Sequence, residues 1–242
     1  MINVEFKVDG LTLKGNLFYP EKIKEKNPSI LFIHGWTSEK TRSYQYAEAL
    51  IKLGYIVMLF DMRCHGISEG NINIATPKEF LNDCIAAYDY FSQVKGVDKD
   101  NISIVGSSFG GYLSSILTAK RKIKNLVLRV PADYTNDAFE KPKMGNAGKN
   151  PEIFKWRLIP KKYSETFALQ ALHDFYGNVL IIESEKDTIV PHQIIQNYAV
   201  AVKDKSKLDH IVMKGVSHSI KPGPFKDKVT QILVAWFKNK TA

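Results

Sequence analysis

The chain has 242 residues and a net charge of +9, from 34 Lys and Arg against 25 Asp and Glu. Hydrophobic residues at 44% and charged residues at 24% are ordinary globular values and exclude a disordered or low-complexity chain. The length suits one large domain or two small ones, and no apolar run approaches the roughly 20 residues needed to span a bilayer.

Two alternating segments come first, Val4 to Val8 and Leu11 to Phe18, joined by Asp9-Gly10. Period-2 alternation around an Asp-Gly turn predicts a β-hairpin. Met1 to Gly10 mixes charged and apolar residues and lacks the apolar block of a signal peptide. Beyond Pro20, Ser29 to Ile33, Ile56 to Phe60, Ile102 to Val105, Leu126 to Val130 and Val179 to Ile182 are continuous apolar runs. Strands buried on both faces of a parallel sheet have that pattern. His210 to Met213 is a shorter candidate for the last strand.

Between these runs, Ser43 to Leu53, Pro77 to Val94, Phe109 to Lys120, His192 to Val202 and Phe225 to Phe237 repeat apolar residues at helical spacing. Thr76 ahead of Pro77 supplies an N-cap. Alternating strands and helices imply right-handed crossovers. The expected fold is α/β, a doubly wound, mostly parallel sheet in a single domain over residues 1–242.

Residues 131–176 break the rhythm, separating two core strands by far more than one crossover needs. The segment is rich in aromatic residues, among them Tyr134, Phe139, Phe154 and Trp156. It is expected to form a short cap, because ligands of such sheets bind outside the carboxyl ends of the strands. An extra helical layer with its own small core is the alternative.

The positive surplus lies late in the chain. Residues 1–119 carry 12 basic and 13 acidic side chains, residues 120–202 carry 13 and 9, and residues 203–242 carry 9 and 3. It is spread as single lysines without a nucleic-acid motif, so a solvated face is expected and nucleic acid is not an expected partner. Cys64 and Cys84 cannot form a disulfide scaffold and suit reduced thiols in a cytoplasmic protein.

Gly106-Ser107-Ser108-Phe109-Gly110 has the form G-x-S-x-G, following one predicted strand and opening one predicted helix. Such an elbow strains its central residue and needs small neighbours. Ser108 is therefore the candidate nucleophile, with Ser107 one position off centre. A serine hydroxyl needs a base to take its proton. Of the 6 histidines, His218 lies in a loop between the last strand and the terminal helix, from which an imidazole can return to the elbow. His210, at the start of that strand, reads as structural. The base in turn needs an acid to fix its tautomer. Asp187, past the end of the strand Val179 to Ile182, is the candidate, with Glu183 and Glu185 as competitors.

At this point the residues resemble the α/β-hydrolase superfamily over essentially the whole chain. The order Ser108, Asp187, His218 matches the family's Ser…Asp…His order. His34-Gly35, directly after a predicted strand, resembles the family's oxyanion-hole segment, which implies backbone N–H donors at Trp36 and Phe109. Asp61 to Gly70 is similar to the family's D-x-R-G-H-G-x-S-x-G loop, with Cys64 in place of a glycine. That departure leaves room for a different loop backbone but removes no catalytic group.

The early hairpin, His-Gly-Trp and the insertion after Arg129-Val130-Pro131 look like bacterial carboxylesterases of the cinnamoyl or feruloyl esterase type. There the insertion supplies an aromatic acyl pocket, which implies substrate contacts from Tyr134, Phe139, Phe154 and Trp156. The resemblance implies hydrolysis of small to medium acyl or aryl esters through an acyl-enzyme on Ser108. The same core is similar to acyl thioesterases, monoacylglycerol lipases and the catalytic domains of acyl-peptidases. A non-catalytic binding protein is the alternative from another class. No cofactor is expected: the histidines are scattered, the cysteines form no paired ligand motif and no HExxH occurs. The expected partner is a small-molecule ester, with no membrane span, and a homodimer is left open.

Overall fold

The computed structural model describes residues 1–144 and 151–240. Its strands are β1 (Ile2–Val8), β2 (Leu11–Phe18), β3 (Asn27–Ile33), β4 (Ile56–Phe60), β5 (Val97–Ser107), β6 (Asn125–Arg129), β7 (Asn178–Ser184) and β8 (Leu208–Met213). They form one 8-stranded sheet in the order β1-β2-β4-β3-β5-β6-β7-β8. β1 and β2 pair antiparallel, β2 meets β4 antiparallel, and β3 to β8 run parallel. Asp9 and Gly10 both have positive φ, 49° and 80°, which is what a two-residue hairpin turn matching the strand twist requires.

The helices are α1 (Tyr44–Leu50), α2 (Pro77–Ser92), α3 (Phe109–Leu117), α4 (Pro151–Arg157), α5 (Phe167–His173), α6 (His192–Ala201) and α7 (Pro224–Lys238). They divide between the two faces of the sheet. Along β4, Ile56, Met58 and Phe60 join one core with residues of α2, α3, α5 and α6. Val57 and Leu59 join the other, with residues of α1 and α7. Every side chain of β4 is therefore buried, which is why the strand reads as an unbroken apolar run. Each such burial contributes roughly 1.5–3 kcal/mol. At the start of α2, Thr76 Oγ1 accepts from the Glu79 N–H and the Glu79 carboxylate accepts from the Thr76 N–H, satisfying two donors that a helix end otherwise leaves open. Among the described residues, no helix is long and apolar enough to cross a membrane.

The long segment after β6 holds α4 and α5 and short 3₁₀ turns at Asn136–Ala138 and Tyr163–Glu165. Part of it, residues 145–150, lies outside the described residues. Ala168, Leu169 and Leu172 of α5 enter the core shared with α2, α3 and α6, so this part of the segment packs as a continuation of one helical layer.

The loop after β4 folds around buried charge. The Asp61 carboxylate accepts from both the backbone N–H and the ammonium of Lys40, and Arg63 pairs with Asp83. A Cβ at Gly66 would stand 2.2 Å from Asp61 Oδ2, so only glycine fits there. Cys64 has φ 66°, the left-handed region. The loop thus holds the cysteine in a conformation that glycine adopts freely, at a cost in strain. Relieving that strain in Cys64→Gly is expected to stabilise the fold by about 1 kcal/mol. An upward shift of the urea midpoint at unchanged slope is the expected reading, and a downward shift would show that the thiol's packing outweighs the strain.

Candidate active site

β5 runs into α3 through one residue, Ser108, held at φ 53° and ψ −115°. The neighbours enforce this. A Cβ at Gly106 would lie 2.2 Å from Ser114 Oγ, and one at Gly110 would lie 2.2 Å from the Ile33 carbonyl. α3 can seat this closely on β3 and β5 only with glycine at both positions. The Ser108 N–H donates to the Arg129 carbonyl, and the Ser108 carbonyl accepts from the Tyr112 and Ala132 N–H groups. A non-glycine residue held at such angles stores on the order of 1–3 kcal/mol, which surrounding packing must offset.

The side chains singled out from the sequence meet here. Ser108 Oγ lies 3.1 Å from His218 Nε2, and His218 Nδ1 lies 2.7 Å from Asp187 Oδ2. The other oxygen of Asp187 accepts from the Ile189 and Val190 N–H groups at 2.9 and 2.8 Å, which fixes the carboxylate's orientation. The competing residues are engaged elsewhere. Ser107 Oγ accepts from Arg129, Glu183 holds His192 and His210, and Glu185 holds Lys214 and the Gly215 N–H. His173 stacks on Tyr163. Arg129 also donates to the His218 carbonyl at 2.5 Å, tying the histidine's loop to the end of β6.

The His34-Gly35 turn passes beside the serine, and a Cβ at Gly35 would lie 3.4 Å from Ser108 Cβ. The Trp36 and Phe109 N–H groups make no hydrogen bond among the described residues. Phe109, as the first residue of α3, has no partner within its helix. Two histidines that the sequence placed in motifs without giving their rings a task shape this turn. His34 Nε2 accepts from the Met62 N–H at 3.0 Å, and His65 Nε2 accepts from the Thr37 N–H at 3.1 Å. Both rings are therefore neutral acceptors that bind the turn to the Asp61 loop. The signal for them was their position, each directly before a glycine in a motif-like loop.

A cavity of about 350 Å³ opens beside Ser108 and His218, walled by Gly35, Trp36, Tyr46 and Arg129 among others. None of Tyr134, Phe139, Phe154 and Trp156, expected from the resemblance to contact substrate, lines it. Tyr134 packs edge-on against Phe109 and Tyr112. Phe139 packs on Phe167, Trp156 lies under the Lys161 ammonium, and Phe154 points to solvent. The cavity extends along the α1 and α7 side of the sheet, whereas Tyr134 belongs to the core of the opposite face. The segment approaches the site through Lys143 instead, whose ammonium sits 4.8, 5.1 and 4.6 Å from the ring centres of Trp36, Phe109 and Tyr134.

Comparison with known proteins places this arrangement. The family model described as the prolyl oligopeptidase family matches residues 42–242. An uncharacterized protein of Mycobacterium tuberculosis is 28% identical over 211 residues, which cover 87% of this chain and 69% of that one. Mouse dipeptidyl peptidase 8 is 32% identical over 126 residues, 46% of this chain and 14% of that protein. The structure of Est1E from Butyrivibrio proteoclasticus, with ferulic acid bound, matches with a TM-score of 0.75 and 20% identity over 97% of both chains.

The buried histidine gives the fold a pH dependence. Burial lowers His34 from 6.5 to about 4. Between those values the unfolded chain binds a proton at this ring that the folded chain does not. The His34 contribution is thus complete above pH 6.5 and is lost as pH falls through the folded value near 4, with a slope of up to about 1.4 kcal/mol per pH unit. Urea unfolding from about pH 7 to 4.5 should show a steeper loss for the wild type than for His34→Gln. Equal slopes would mean that His34 is charged in the fold.

Proposed function

Since the chain belongs to the prolyl oligopeptidase family and is a hydrolase of the α/β-hydrolase fold, we propose that it is a serine carboxylester hydrolase acting on small to medium acyl or aryl esters. The observation that carries this reading is the continuous line from Ser108 Oγ through His218 to Asp187, with the unengaged Trp36 and Phe109 N–H groups beside it. Ser108 attacks the ester carbonyl while His218 takes its proton. Asp187 holds the imidazole in the tautomer that can accept it and stabilises the imidazolium that forms. The tetrahedral oxyanion rests on the two N–H groups, each worth about 3 kcal/mol to the transition state. His218 then protonates the departing alkoxide. Water, deprotonated by the same ring, releases the acid from Ser108. In this reading residues 131–176 form the cap of a single domain and reach the site at Lys143.

Est1E's bound ferulic acid makes methyl ferulate a natural test substrate beside short nitrophenyl esters. The family's name and the dipeptidyl peptidase relative favour amide cleavage as a second reading, and aminoacyl nitroanilides test it. A fluorophosphonate probe should label the wild type and leave Ser108→Ala unlabelled. Ester turnover should fall at least about a thousandfold in Ser108→Ala, and about 10⁴-fold in kcat for Asp187→Asn with the fold intact. Undiminished labelling of Ser108→Ala would overturn the assignment of the nucleophile. A preference of about a hundredfold for acyl-CoA over the oxygen esters would overturn the carboxylester reading.

A further inference from the structure

The mechanism above leaves one property of the cavity unused, its charge. Arg42, Arg129, Lys221 and Lys226 line it together with Ser108 and His218, while no Asp or Glu does. None of these four cations pairs with a carboxylate among the described residues. They come from four separate places: the turn ahead of α1, the end of β6, the loop after His218 and the first turn of α7. Burial and the neighbouring Arg42 charge hold the Lys226 ammonium below its ordinary value, against smaller opposing pulls from Asp227 and Glu48, so Arg42 and Lys226 repel one another. Ser43 and Ser219 add hydroxyl donors to the same wall. A concave surface of one sign concentrates ligands of the other sign, and Arg with Lys beside hydroxyls is the donor set that binds phosphate oxygens.

The position of His218 says which part of a substrate would meet these charges. It hands its proton to the leaving group, so the leaving group departs on its side. Ser219 and Lys221 follow it in the chain, and Arg129 holds its carbonyl. Resting on Ser108 as the ester nucleophile, we propose that this cavity holds a phosphate on the leaving group, making the substrate an ester of a phosphorylated alcohol. Attack by Ser108 breaks the bond between the acyl carbon and the alcohol oxygen. His218 protonates that oxygen, the phosphorylated alcohol leaves with its phosphate intact, and water then releases the acid.

Two esters isolate the phosphate, 1-hexanoylglycerol 3-phosphate and 1-hexanoylglycerol, which share the acyl chain and the scissile bond. The wild type should favour the phosphorylated ester by about tenfold or more in kcat/KM, and added salt should shrink that preference. In the double variant Arg42→Gln/Lys226→Gln the ratio should fall to within about threefold. Glycerol 3-phosphate, titrated calorimetrically, should bind the wild type and bind the double variant about tenfold more weakly. Equal turnover of the two esters, or glycerol 3-phosphate binding that ignores the two substitutions, overturns the inference and leaves ester hydrolysis standing. Equal binding of glycerate overturns the assignment to phosphate. Charge-dependent binding without turnover of either ester upholds the anion site and overturns Ser108 as an esterase nucleophile.

Discussion

The contact on which the rest of the site depends is the seating of α3 against the ends of β3 and β5. Gly110 leaves its backbone so close to the Ile33 and His34 carbonyls that a single methyl group could not enter. With the helix that near, the chain has one residue in which to reverse from strand to helix, and that residue is Ser108 at positive φ. The same closeness sets the His34-Gly35 turn alongside Ser108 and leaves the first amide of the helix without a hydrogen-bond partner among the described residues. A looser packing would relax the backbone and separate these groups together, because one contact positions all of them.

Around this contact lies a polar scaffold with little solvent in it. Asp61 and Lys40 are 0% and 7% exposed, and Asp83 and Arg63 are 0% and 2%. Buried charges of this kind are tolerated only with partners and hydrogen bonds, and removing one partner is far more costly than the pair is stabilising. Here they join separate parts of the chain. Asp61 holds the segment that leads into α1, and Arg63 reaches β1's turn at Asp9 and α2 at Glu79 and Asp83. His34 and His65 extend the network to the turn beside Ser108 as neutral acceptors. The loops above the sheet are thereby fixed to one another as well as to the strands.

Much of this was legible because burial on two faces leaves an unmistakable trace. Ile56 to Phe60 coincides with β4, and the Asp9-Gly10 turn falls where the alternation breaks. Motif spacing also singled out Ser108, Asp187 and His218, of which the histidine lies within hydrogen-bonding distance of each of the other two. Asp187 was preferred over Glu183 and Glu185 for its place past the strand end, and the coordinates add where the competitors are engaged, Glu183 with His192 and His210 and Glu185 with Lys214. The segment after β6 was the least legible. Its helices α4 and α5 are each 7 residues long, too short to establish a periodicity, and its aromatic residues carry no mark in sequence of which pack on other rings, as Tyr134 and Phe139 do, and which face solvent, as Phe154 does. The placement of charge was not legible either: of the single lysines scattered in sequence, two stand with Arg42 and Arg129 around one cavity. Convergence of that kind has no linear signature.

Arg129 grips the loop of His218 by its main-chain oxygen and leaves the imidazole alone. Anchor and mover are thus separate parts of one residue. In the proposed reaction the backbone can be stationary while the ring turns by small torsions between the serine oxygen and the departing oxygen. On the ring, Asp187 holds Nδ1, so the motion left to the ring is a small swing of Nε2 about that contact. Under the proposed mechanism, fastening the pivot in this way would let a single imidazole serve two successive proton transfers with no rearrangement of the chain that carries it.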